Sequence, residues 1–210
     1  MSANRTTMDV SRLPKHTFDA RSQLWWGNIW LLCIETTMFG LIVAAYFYFR
    51  QNFYGWPPPY TDSPPYLFEP VPRLLVPTVN LVLMLVSILP MAWTDLAARR
   101  LDRRAVRLGL ILCIAFGAAT IVLRFYEFQS LIWKWDSNVY GSVTWTILGL
   151  HLMHLFVCTL EDLILATWVF RRPLDENHAL DITVTAVYWY WVVGIWILLY
   201  GIIYWGPRVT

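Results

Sequence analysis

The residues able to do chemistry inside the apolar part of this chain are few. GLHLMHLFVCTLED, residues 149–162, carries His151, His154, Cys158, Glu161 and Asp162. At about 100° per residue these five fall on one helical stripe roughly 100° wide, which should face other helices and not lipid. Histidines at i, i+3 can share a metal, so a haem or metal site is the sharpest chemistry this stripe offers. A haem held by two histidines between helices needs one from each helix, and the remaining pair, His16 and His178, lies in a tail and a loop. The plainer reading is a polar seam, with Glu161 and Asp162 emerging at the cytoplasmic interface.

Glu35 is the second candidate. It is the one acid in WWGNIWLLCIETTMFGLIVAAYFYFR, residues 25–50. A carboxylate in hydrocarbon costs several kcal/mol unless it is protonated, paired or bound. It reads as a proton site, as an acid that fixes a lipid or a helix, or as a packing residue. Arg124 and Glu127 form a third pair, three apart near the outer end of a helix, where an ion pair contributes little and a solvated helix end is the simpler reading. The sequence has no GxGxxG, P-loop, HExxH or CxxCH motif and no spacing that suggests a Ser–His–Asp constellation. It also lacks the run of charges through several helices that transporters often show.

The elements that position these residues follow from composition. The chain of 210 residues is 58% hydrophobic, with mean hydropathy +0.48, which places it in a membrane. A net charge of +2 gives no basic field for nucleic acid. The tryptophans and tyrosines suit two membrane–water interfaces. Cys33, Cys113 and Cys158 lie in apolar runs without a CxxC and read as reduced, buried residues. The patterning predicts an all-α bundle of five transmembrane helices over 24–49, 74–96, 105–128, 141–170 and 182–205, a bundle domain spanning 24–207. A polar cytoplasmic tail, 1–23, precedes it and has no apolar segment of a cleaved signal. A proline-rich extended loop joins the first two helices. Pro77 fits the first turn of the second helix and Pro90 kinks it. Eleven Lys and Arg on the side of the tail and of the 2–3 and 4–5 loops, against five on the other, put the N-terminus inside and the C-terminus outside. The basic 2–3 loop reads as a topology determinant and a contact for anionic lipid.

In order along the chain, IETTMFG with Glu35, WPPP (56–59), PTVNLVLMLVS (77–87), RFYEF (124–128), VYGS (139–142), GLHLMH (149–154) and YWYWVVGIWILLYGIIYW (188–205) resemble subunit III of the haem–copper terminal oxidases, the cytochrome c oxidase subunit III family. The resemblance runs from about 25 to 207 and is to the five-helix bacterial form. It implies a non-catalytic subunit with no haem or copper of its own. Such a subunit packs against oxidase subunit I, which holds the redox centres, retains structural phospholipid, and supports proton uptake and sustained turnover in a bacterial inner membrane. Glu35 would be the family's buried acid, and His151 and His154 its helix-4 histidines; on this reading Glu35 is expected beside His151. Where the family commonly has His and Asp in its last helix, this chain has Tyr190 and Val193, and Glu161–Asp162 replace an apolar continuation. The branch is therefore divergent, and its parent complex could be a cytochrome c oxidase, a quinol oxidase or a nitric oxide reductase. A small membrane cytochrome b is the alternative from another class, and a carrier or channel is disfavoured by the scarcity of intramembrane charge.

Overall fold

A computed structural model describes residues 22–53, 55–58 and 72–209, without the side chains of 176 and 177. The anticipated tail and most of the proline loop lie outside those residues. Five helices are long and apolar enough to cross a bilayer, and no strand occurs among the described residues. They are α1 (Gln23–Arg50), α2 (Leu75–Arg99), α3 (Arg103–Ser130), α4 (Val139–Arg171) and α5 (Glu176–Tyr200). Three of them begin earlier than hydropathy alone predicts because an Asx residue caps each. Asp102 accepts from the Arg104 and Ala105 amides, Asn138 from Gly141, and Asp175 from His178.

Helices α2, α3, α4 and α5 form a ring in which each packs on the next and α5 returns to α2, while α1 lies outside against α4 and α5. Glycines set the tightness of the ring. A Cβ at Gly109 would overlap Thr94 Oγ1 on α2, and one at Gly117 would overlap Thr159 Oγ1 on α4, the small-residue contact that lets membrane helices approach closely. Gly27 and Gly40 on α1 face open space. Met84, Leu110, Ile147, Leu148, Leu155 and Val192 fill the ring interior.

Two arginines of the basic 2–3 segment are used within the fold, while Arg100 and Arg104 stay exposed. Arg103 donates to the Val169 and Phe170 carbonyls, and Arg107 donates to both as well, with its guanidinium 4.9 Å from the Phe170 ring centre. These carbonyls end α4, where the helix has no amides left to offer and its dipole favours a cation. Arg103 and Arg107 thus also cap a neighbouring helix, beyond the lipid-and-topology role expected of this loop. We call this end of the bundle the arginine end.

At the opposite end α5 widens into a π turn, Gly201–Trp205, before a last helical turn, Gly206–Val209. Pro207 has no N–H to give Ile203, and its ring crowds that carbonyl. The Gly206 amide instead bonds back five residues to Gly201. Carbonyls released by this turn accept side chains from elsewhere. Tyr46 of α1 donates to Ile202 and Tyr140 of α4 to Ile203, at 3.3 and 3.5 Å, and Arg208 donates to Tyr204.

Candidate functional site

Near the middle of α1, Glu35 meets α4. His154 Nε2 lies 3.2 Å from Glu35 Oε2. The His154 ring is otherwise committed, because its Nδ1 lies 2.6 Å from the Leu150 carbonyl and must donate there. Nε2 therefore faces a carboxyl oxygen across a contact that needs one proton, carried as a carboxylic acid donating to a neutral imidazole or as an imidazolium donating to a carboxylate. With no proton the two lone pairs would oppose each other. The Glu35 side chain is 23% exposed and that of His154 9%. Phe39, Trp191 and Tyr188 surround the imidazole, with ring centres 5.1, 5.5 and 6.4 Å away. Trp191 Nε1 also donates to Thr36 Oγ1 at 2.8 Å, which ties α5 to the turn of α1 that bears Glu35.

His151 belongs to a different centre. The structure does not place it as the partner of Glu35, because it points into the ring. Its Nδ1 lies 3.1 Å from Arg124 Nη2 and its Nε2 3.1 Å from the Val192 carbonyl. Arginine only donates and a carbonyl only accepts, so His151 is the neutral tautomer with its proton on Nε2. Arg124 Nη1 donates to Glu127 Oε2 at 2.8 Å, and the Tyr204 hydroxyl donates to the other carboxylate oxygen. The guanidinium carbon lies 3.5 Å from the centre of the Trp196 ring. Arg124 and Glu127 are both fully buried, which corrects the expectation of a solvated helix end. α3 runs on to Ser130, so both residues sit more than half a turn inside it; Arg124 and Glu127 face the ring while Phe125 and Tyr126 between them point outward, 50% and 58% exposed. Asn80, fully buried on α2, contributes to the environment of Glu127 but makes no hydrogen bond of standard geometry among the described residues.

The stripe on α4 thus divides among three neighbours. Cys158 is fully buried, and Asp162, 2% exposed, reaches the surroundings of Cys113 on α3. Glu161 instead lines a groove shared with α1 and α5. α4 continues to Arg171, more than two turns beyond these two acids. No group of three or more His, Cys, Asp or Glu side chains among the described residues could hold a metal ion.

The family description "Cytochrome c oxidase subunit III" matches residues 5–207. The chain belongs to that family. It is 30% identical over 182 residues to "Cytochrome c oxidase subunit 3" of Thermostichus vulcanus, covering 85% of each chain. It is 25% identical over 195 residues to the protein of the same name from Drosophila yakuba, covering 90% of this chain and 72% of the other. A third relative of that name, from Yarrowia lipolytica, is 25% identical over 202 residues, 94% of this chain and 73% of its own.

Within this subunit III chain the two divergent positions on α5 have ordinary surroundings. Val193 is 1% exposed in the ring core, and Tyr190 packs partly buried against the same core. All three cysteines are free, but Cys33 is exposed on α1, contrary to the expectation that all are buried. No local pattern signals that Tyr204 donates to Glu127 or that Trp196 lies against Arg124, because these contacts bring together helices distant along the chain.

Proposed function

We propose that the chain is a non-catalytic subunit III that packs on subunit I of a respiratory haem–copper oxidase, with haem and copper held by the partner subunits. The family supports an accessory subunit of such an oxidase in a membrane. The excess of Lys and Arg at the arginine end supports an N-terminus in the cytoplasm of a bacterial inner membrane. In this reading the Glu35–His154 contact is a one-proton store that supports proton uptake and sustained turnover of subunit I. The observation that carries it is the commitment of His154 Nδ1 to Leu150, which leaves the 3.2 Å contact to Glu35 needing one proton.

A structural phospholipid fits the outer face of α4. Leu163, Ile164, Thr167 and Trp168 line an apolar groove of about 540 Å³ that ends at Arg171 and Arg172. The side chains of those two arginines make no hydrogen bond or ion pair among the described residues, so their charge is available to an anionic headgroup.

The test is Glu35→Gln in the assembled complex. The amide still offers His154 a donor, so assembly and lipid content should persist, while proton uptake slows or activity decays earlier during turnover. Unchanged uptake and unchanged turnover lifetime would reduce Glu35 to a packing residue.

A further inference from the structure

The Glu35–His154 contact lies in the seam between α1 and α4, near the middle of α1, and a proton stored there needs a route. A groove of about 260 Å³ opens between α1, α4 and α5 toward the arginine end. Gly27, Asn28 and Leu31 form its α1 wall, Glu161 its α4 wall, and Thr185 and Tyr188 its α5 wall. Leu31 is one helical turn, about 6 Å, from Glu35. Tyr188 stands in the same wall with Glu35, Glu161 and Cys158 in its electrostatic surroundings, and its ring centre is 6.4 Å from that of His154. The groove therefore carries a second carboxylate and ends a turn short of the first.

We propose that this groove is an aqueous channel by which the Glu35–His154 contact exchanges its proton with solvent at the arginine end, and that Glu161 is the acid that draws cations into it. The proposal rests on the reading of Glu35–His154 as a proton store. The titratable groups facing the route are Glu35 from α1, His154, Cys158 and Glu161 from α4, and Tyr188 from α5. A half-buried carboxylate in a narrow low-dielectric cleft concentrates cations, hydronium included, and repels anions. The transfer is a simple exchange: a proton taken from solvent neutralises the contact, and its return to solvent restores it. Asn28 holds the wall together, since its amide reaches the Val184 carbonyl at 3.5 Å. Gly27 leaves the mouth wide, because a Cβ there would meet nothing within 4 Å.

The test uses single cysteines in the intact oxidase, in oriented vesicles, with exposed Cys33 changed to Ser. Gly27→Cys and Leu31→Cys mark two depths of the groove, and the first fills only open space. Membrane-impermeant methanethiosulfonates, one cationic and one anionic, are applied from each side. Both cysteines should react from the arginine-end side only, and faster with the cation. Glu161→Gln should cut the cation's rate about tenfold and raise the anion's. Reaction only with a lipid-soluble maleimide would mean that acyl chains fill the groove, and would overturn the proposal. So would labelling from the other side, or a charge preference unmoved by Glu161→Gln. These rates do not depend on turnover. A silent Glu35→Gln variant together with charge-selective labelling would sink the proton-store reading and leave an aqueous groove. A kinetic defect in Glu35→Gln without labelling would sink the groove alone.

Discussion

Two polar centres a few residues apart on α4 are built in opposite ways. The ring centre encloses Arg124 and Glu127 at 0% exposure, and Glu127, Tyr204, His151 and Trp196 all bear on one guanidinium or its counter-ion. The α1 seam leaves Glu35 23% exposed and satisfied only when one proton is present. The helices differ in the same sense. The apolar window of α1 is 11% buried, that of the last span 56%. Where a charge is enclosed and answered, it fixes helices in place. Where it is partly open and its contact needs a proton, it is suited to the exchange proposed above.

That contrast is broken or sharpened most strongly at Arg124. Arg124→Ala leaves Glu127 as a buried charge with only Tyr204 as donor and empties the space over Trp196. Removing one partner of a buried pair costs about 3–5 kcal/mol, so the thermal midpoint of the purified complex should fall steeply and the subunit should be lost from it. Glu35→Gln should cost much less, since the amide still offers His154 a donor across the 3.2 Å contact. Equal losses from the two variants would erase the distinction between the centres.

Glycine substitutions probe the same difference with smaller effects and opposite signs. Gly109→Ala drives a methyl into Thr94 Oγ1, which is already held to the Pro90 carbonyl at 2.7 Å. Overpacking of this kind costs about 1–3 kcal/mol, and adding Thr94→Ala should recover part of it. Gly40→Ala on α1 meets nothing within 4 Å and should gain about 0.5–1 kcal/mol from helix propensity. Thermal midpoints of the two single variants that move in the same direction would show that α1 is held as tightly as the ring.

Much of this was legible in the sequence, for physical reasons that also set the limits. Hydropathy and length specify five spans because lipid leaves the backbone almost no other solution. The polar stripe of α4 and the isolated Glu35 stand out because ionisable groups are rare in hydrocarbon. Periodicity could not say which histidine meets Glu35. His151 and His154 are about 60° apart around the helix, and only the crossing of α1 over α4 and α5 decides between them. Arg124 and Glu127 were misplaced because a charge near the end of an apolar run looks alike whether it meets water or a neighbouring helix. The capping of α4 by Arg103 and Arg107 joins residues more than sixty positions apart, beyond the reach of local pattern. The π turn had a visible cue in Pro207, set just beyond Gly201 and Gly206, since a proline there must free a carbonyl.

A carboxylate outside the spans supplies the weak limit of the comparison. Asp175 caps α5 through the His178 amide at 3.0 Å and also accepts from the His178 ring, which stacks on Trp168. The hydrogen bond from that ring holds the Asp175 carboxyl below the usual carboxylate range. A folded-state pKa below the unfolded value of about 3.9 means that the contribution is complete above that pH and fades as pH falls through the folded value. Asp175→Ala should therefore lower stability at neutral pH by about 0.5–1 kcal/mol through the lost cap. The charge-dependent share should be the smaller part, since the exposed group is screened by solvent. The gap in thermal midpoint between parent and variant should narrow below about pH 4. A gap that stays constant or widens on acidification would show that the ionised carboxylate contributes nothing at this helix start.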